Sequence, residues 1–365
     1  MYLTATNLAS YLIGRGLIDA NSVVDGDLVI IEAGRRNRNF KVLRGKLPGL
    51  FVKQISNTTR WEPIITLQRE AAFYAAVSTR PHCSHLANLM QDFIDYNPAN
   101  CSLIIGLVPN GESLLEYHYQ LGTYPEEAGE IVGRNLATYH FLPREVLTEL
   151  SSACAFPWQI PWILTLDPVS FFPLSQFLGS GSMLIAALQQ LPALLQCLLA
   201  LRYEWQYEAL IHGDMKWDNL VIGEGVKREP DLRIIDWELV DIGDAAWDVG
   251  SVFASYLVDW LLALHAPAQR VPLDFGVEAR NRMVQMQPAL RKFWTAYTSM
   301  RGFGAAAARQ YLEKCLRFAA ARLVLAVFEF LYGSPQMTAA MLSILQASQN
   351  ILLNPPRAAS EILGL

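Results

Sequence analysis

Charged residues are scarce in this chain. Asp, Glu, Lys and Arg make up 17% of its 365 residues, against 52% hydrophobic ones. That balance excludes a disordered, solvated polymer and suits a chain that buries a substantial core. A net charge of −5 gives no footing on nucleic acid or another polyanion. Cysteine is sparse too. Cys83, Cys101, Cys154, Cys197 and Cys315 are odd in number, far apart and never in C-x-x-C spacing. They form neither a disulfide framework nor a metal box, and fit the reduced thiols of a cytoplasmic protein. His82-Cys83-Ser84-His85 is the nearest thing to a ligand cluster, but Pro81 precedes it in a short connection, and a solvated turn is expected. The amino terminus lacks a basic start followed by an unbroken apolar run, so no signal peptide is read. Residues 183–201 carry no charge over nineteen positions, close to membrane-spanning length. Gln189, Gln190, Pro192 and Gln196 interrupt that stretch. A buried core helix, with its pattern running on to residue 207, is the expectation, and no membrane partner.

Two polar motifs stand out from this apolar background. The first reads His212-Gly213-Asp214-Met215-Lys216-Trp217-Asp218-Asn219, and the second Ile234-Ile235-Asp236-Trp237-Glu238. Leu210-Ile211 precedes one, and Leu232 with Ile234-Ile235 the other, so each should sit at the end of a buried strand. Transfer of a phosphoryl group from ATP needs a carboxylate to orient the attacking hydroxyl and two oxygen ligands to hold magnesium on the phosphates. The spacing offers Asp214 as base and Asn219 and Asp236 as metal ligands.

Both motifs resemble the signature of the aminoglycoside phosphotransferase and choline kinase family, H-G-D-x-x-x-x-N followed by a strand ending I-D-x-E. The resemblance covers roughly residues 25–330. It implies an α+β, bilobal protein-kinase-like fold with a small antiparallel-sheet lobe and a large, mainly helical lobe. Residues 1–106 then form the small ATP-clamping lobe, 107–112 the hinge, and 113–365 the large lobe with the catalytic loop and acceptor cleft. ATP and Mg2+ are the implied cofactors.

Residues 27–57 read as three short strands, 28–33, 40–43 and 50–55. The first connection, from Gly34 through Asn37 and Arg38 to Val42, resembles the family's nucleotide-covering loop. It has one glycine, Gly34, beside which backbone amides can approach phosphate oxygens, with Asn37 as an added donor. Lys53 on the third strand is the candidate for the lysine on the α- and β-phosphates, and Glu70 on the next helix its ion-pair partner. Residues 101–108 give a strand closed by Pro109-Asn110-Gly111, the expected hinge. Residues 1–18 add a short helix outside the family's minimal core.

Further on, Glu126–His140 has amphipathic helix spacing. Residues 141–179, rich in proline and aromatics, look too irregular for core helices and are expected to help wall the acceptor cleft. In Gly243-Asp244-Ala245-Ala246-Trp247-Asp248, which resembles the family's G-D-x-x-x-D stretch, Asp248 should open a helix and accept hydrogen bonds from the catalytic loop. His212 belongs to the same structural latch, and Glu238 is a supporting acid behind the metal. Lys216, two positions after Asp214, is where Ser/Thr protein kinases place a cation on the transferring phosphoryl. Residues 251–365 hold eleven Lys and Arg against six Asp and Glu, an excess of +5 that disfavours a polycationic acceptor. The expectation is an ATP- and Mg-dependent O-phosphotransferase acting on a hydroxyl of a non-aminoglycoside metabolite. Two alternatives stand beside it. One is a peptide Ser/Thr kinase subunit, as in class V lanthipeptide-like biosynthesis, working with a partner enzyme of a biosynthetic complex. The other is a kinase-like scaffold without activity.

Overall fold

Strand β3 (Leu47–Gln54) shows how sequence becomes structure here. Leu50 and Val52 alternate with Phe51 and Lys53, so a two-residue period sends the first pair to one face and the second to the other. On the first face they join Phe40, Val42 and Ile104 in a core with Leu3, Leu8, Tyr11, Leu12 and Ile18 of the amino-terminal segment. That segment carries the short helix Leu8–Gly14. Buried Gln54 ties it down: its side-chain oxygen accepts from Leu3 N at 2.8 Å, and its amide donates to the carbonyls of Met1 and Asn100.

The computed structural model describes residues 1–33, 38–55, 62–177, 179–224, 230–265, 275–334 and 336–365. The described chain divides into two units. The first comprises Met1–Leu115, Thr148–Phe156 and Asp218–Val240, and the second Glu116–Leu147, Pro157–Trp217 and Asp241–Leu365. The expected lobes follow chain order, whereas packing also assigns 148–156 and 218–240 to the first unit.

In the first unit, β1 (Leu28–Glu32), β2 (Arg38–Arg44), β3, β4 (Phe93–Asn97) and β5 (Ser102–Gly106) form an antiparallel sheet in the order β1-β2-β3-β5-β4. Lys53 stands opposite Asn39 on one side and Leu103 on the other. The helix Glu62–Thr79 buries Leu67, Glu70, Ala71, Tyr74 and Val77, a stripe at three- and four-residue spacing in which Glu70 is the one acid. After the turn that ends in Gly111, β6 (Glu112–Ser113) joins β8 (Leu220–Glu224) and β9 (Pro230–Ile234) in a second sheet. Here Gly111 is required. A Cβ there would lie 2.6 Å from Val221 of β8.

The second unit is mainly helical, with β7 (Ala209–Ile211) and β10 (Asp241–Gly243) paired antiparallel inside it. Glu126–His140 packs on Phe275–Met300 through Gly129 and Gly133. A Cβ on either glycine would meet the carbonyl oxygen of Ala289 or Phe293 at 2.3 Å. Small residues thus let two helix backbones approach closely. Ala245–Leu264 packs on Ala305–Gly333 in the same manner at Gly250.

Three expectations need correction and one, the turn at residues 82–85, holds. Residues 183–201 are not one helix but two, Ser180–Gln189 and Pro192–Leu201, bent by 106°. Pro192 lacks the N–H that would continue the first helix and instead opens the second. The 141–179 stretch contains a regular helix, Arg144–Cys154, burying Leu150 and Cys154. Pro81–Cys83 is the expected solvated turn, with His82, Ser84 and His85 exposed and Cys83 turned inward. The helix Ala245–Leu264 is capped by Asp244, whose carboxylate accepts from Ala246 N, and Asp248 lies inside its first turn. That helix is also long and apolar enough to cross a membrane, but 61% of its apolar window is buried within the protein.

Candidate active site

In the first unit, three acids converge on one cation. Lys53 Nζ lies 2.8 Å from Glu70, 2.5 Å from Asp236 and 3.6 Å from Glu238. Burial opposes the lysine's charge, but the three carboxylates outweigh it and hold its pKa well above the usual range. Complete burial pushes Glu70 up to about 7, against the pull of Lys53, with Asp236 and Glu238 adding to the rise. Glu70 Oε1 has no partner among the described residues.

Asp236 is aimed by its own backbone and by the tryptophan after it. Its φ of 64° lies in the left-handed region, which aspartate tolerates better than most residues, and a 3-10 turn, Trp237–Leu239, follows. Trp237 is fully buried. Its indole N–H donates to Ile234 O at 2.9 Å, and its ring lies 5.1 Å from Phe73 of the Glu62–Thr79 helix. Leu220 pairs with Ile234 in the β8–β9 ladder, and Ile235 N donates to Asn219 O at 2.9 Å. Asn219 and Asp236 therefore leave the same end of one hairpin. Asn219, Asp236 and Glu238 make an all-oxygen donor set, the chemistry a hard cation such as Mg2+ accepts. Among the described residues no three His, Cys, Asp or Glu side chains form a metal cage. Two protein ligands completed by phosphate oxygens suit such an ion.

In the second unit, β7 delivers the other half of the motif. Lys216 Nζ is 2.8 Å from Asp214 Oδ2, and Arg322 Nη2 is 3.3 Å from Asp214 Oδ1. Glu329, on the same helix as Arg322, lies 3.7 Å from Lys216 and 3.5 Å from Arg322. Burial alone would raise the Asp214 carboxyl, but the two cations pull it below the usual carboxylate range. Burial likewise works against Lys216, and Asp214 and Glu329 lift it above the usual lysine range.

The loop backbone is held from beneath. Asp248 Oδ2 accepts from His212 N at 2.6 Å and Tyr139 OH at 2.7 Å, and Oδ1 accepts from Gly213 N at 3.1 Å. Trp247 Nε1 donates to Gly213 O at 2.9 Å. His212 is buried, and its Nδ1 accepts from Asp214 N at 3.3 Å. Gly34 and Asn37, the expected nucleotide-covering residues, lie outside the described residues.

Sequence reasoning missed Arg322, Glu329, Tyr139, His140 and Trp247. A signal for the first two existed. Arg322 and Glu329 are the sole charges between Arg317 and residue 331, and a charge isolated in an apolar helix needs a partner. Part of the basic excess of residues 251–365 is met by acids from outside that segment, and one further cation pairs within it. Lys314 pairs with Asp244, Arg317 with Glu204, Arg322 with Asp214 and Arg357 with Glu361.

Among solved structures, the chain is similar to the ethanolamine kinase of Plasmodium vivax (14% identity, TM-score 0.58, covering 97% of this chain and 90% of that one). It is also similar to the GDP complex of aminoglycoside 2′-phosphotransferase-IIIa (13%, 0.57, 97% and 100%). A third is a choline/ethanolamine kinase family protein from Mesorhizobium loti (13%, 0.52, 98% and 98%). At such identities the kinase-like fold is what is shared. No curated protein matches the sequence. Residues 27–273 match the profile of the phosphotransferase enzyme family, APH, and this chain belongs to that family.

Proposed function

We propose that this protein is an ATP- and Mg2+-dependent O-phosphotransferase of the cytoplasm that transfers the γ-phosphoryl group to a hydroxyl of a non-aminoglycoside metabolite. The observation that carries the reading is the Lys53–Glu70 pair at 2.8 Å, with Asp236 and Glu238 around the same ammonium. An ammonium so placed would meet the α- and β-phosphates, and Asp236 would turn its carboxylate to a bound metal. Asn219 and Asp236 would hold magnesium, with Glu238 supporting them and Gly34 and Asn37 in the covering loop. Bound magnesium neutralises charge that builds on the phosphate oxygens. Asp214 would orient and deprotonate the acceptor hydroxyl. Lys216 would meet the transferring group, and His212 and Asp248 would fix the loop. All five cysteines are free, in keeping with a reducing compartment. Lys314, Arg317, Arg322 and Arg357 are paired with acids, and the argument against a polycationic acceptor rests on the net charge of the segment.

A second reading, a peptide Ser/Thr kinase subunit working with a partner enzyme as in lanthipeptide-like pathways, is favoured by Lys216 at 2.8 Å from Asp214. Radiolabelled ATP offered with neutral, acidic and cationic alcohols and with Ser/Thr peptides tests both. ATP with Mg2+ should also raise the melting temperature, Asp236→Ala should abolish that rise, and Asp214→Ala should abolish transfer while leaving ATP affinity within about threefold. Neither transfer nor a nucleotide-dependent shift in the wild type would leave the inactive scaffold as the reading.

A further inference from the structure

We propose that His140 and Tyr297 are positioning residues of the catalytic loop, acting through Asp248 by a hydrogen-bond chain that fixes one imidazole tautomer. The inference rests on the phosphotransferase reading above. His140 and Asp248 are buried, with both side chains fully enclosed. His140 Nε2 lies 3.4 Å from Asp248 Oδ2, Nδ1 lies 3.0 Å from Tyr297 OH, and Tyr297 OH lies 3.3 Å from Tyr311 OH.

The direction of each bond follows from what each group can do. An ionised carboxylate only accepts, so the proton of the neutral imidazole sits on Nε2 and Nδ1 is an acceptor. Tyr297 must then donate to Nδ1, which leaves its oxygen to accept from Tyr311. Burial lowers the His140 pKa, opposed by Asp248, and Asp248 stays below the carboxylate range with hydrogen bonds from His140 and His212 N offsetting its burial. The same Asp248 oxygen that takes the His140 proton also takes His212 N at 2.6 Å, and the other oxygen takes Gly213 N. The imidazole N–H thus shares, with Tyr139 OH at 2.7 Å, the carboxylate oxygen that holds the backbone two residues before Asp214. Arg301, donating to His140 O at 3.2 Å, holds the helix end from which the ring projects.

The test separates the two ring nitrogens. H140Q can present an amide N–H at the Nε2 position, whereas H140N reaches only the Nδ1 position and H140L neither. With ATP, Mg2+ and the alcohols and Ser/Thr peptides of the screen above as phosphoryl acceptors, and ADP release as the readout, H140Q should keep kcat within about threefold. H140N and H140L should lose about tenfold, with the KM for ATP unchanged within about twofold. In the wild-type protein, 15N NMR should report the Nε2–H tautomer of His140, and Y297F should shift the Nδ1 resonance while leaving that nitrogen unprotonated. An Nδ1–H or doubly protonated ring overturns the proposal even if H140L fails to fold. So does H140N matching H140Q, or wild-type kcat in all three variants. Wild-type protein that shows the Nε2–H tautomer but releases no ADP sinks the phosphotransferase reading, and the catalytic role of the chain with it.

Discussion

Removing the Arg322 guanidinium while keeping its apolar bulk, as in Arg322→Met, isolates what the second cation does for Asp214. Arg322 is nearly buried and contacts Asp214 at 3.3 Å, longer than a charge-assisted bond at its best, while Lys216 holds the other oxygen at 2.8 Å. The lost interaction therefore belongs at the low end of the range for hydrogen bonds to charged groups, about 1.5 kcal/mol. If that restraint is realised in the transition state, kcat falls about tenfold with little change in the KM for ATP. The pH dependence follows from the same contact. Burial raises the Asp214 carboxyl, Lys216 and Arg322 lower it, and the folded protein leaves it below the ordinary value. Its contribution to stability is thus present above the ordinary carboxylate range and lost as pH falls through the folded value. Without Arg322 the folded value rises, so the acid limb of the rate profile moves to higher pH and the neutral-pH contribution shrinks. ADP release from about pH 3 to about pH 8, which spans the carboxylate range, paired with urea unfolding at neutral pH, measures both. An unchanged acid limb together with an unchanged kcat would show that Arg322 merely fills space near Asp214.

Two further predictions concern stability. His118 is buried, its two ring nitrogens have no partner among the described residues, and burial lowers its pKa to about 4. Because the unfolded chain takes up that proton near pH 6.5, stability should fall on acidification from about 6.5 to about 4, by up to about 3 kcal/mol. H118F should flatten that part of the urea-midpoint profile, and an identical slope in the variant would contradict it. Gly133→Ala adds a Cβ 2.3 Å from Phe293 O, a backbone atom that cannot swing away. The gain of about 1 kcal/mol in helix propensity should be outweighed by overpacking of about 1–3 kcal/mol. A higher urea midpoint in the variant would mean that the two helices separate freely.

How much was legible from sequence depended on the distance over which each feature is decided. The alternation in β3, the amphipathic run Glu126–His140 and the two polar motifs are written in adjacent residues, and short-range periodicity exposes them. The break at Pro192 was legible as well, since a proline inside an apolar run ends a helix, but nineteen uncharged positions outweighed it in the reading. The Asp244 cap was obscured by a second aspartate four residues later, and only Ala246 N, bonded to Asp244, separates the two roles. Partners such as Arg322 and Asp214, 108 positions apart, lie beyond any periodicity. What the sequence does carry about such pairs is the cost of leaving them unmade. Asp214 is half-buried, and a carboxylate drawn out of water without a partner is less stable than a paired one. A chain with so few charges can place one inside an apolar helix only where another element meets it. Arg322 and Glu329, seven residues apart and therefore on one face of their helix, mark that meeting point before any coordinate is known.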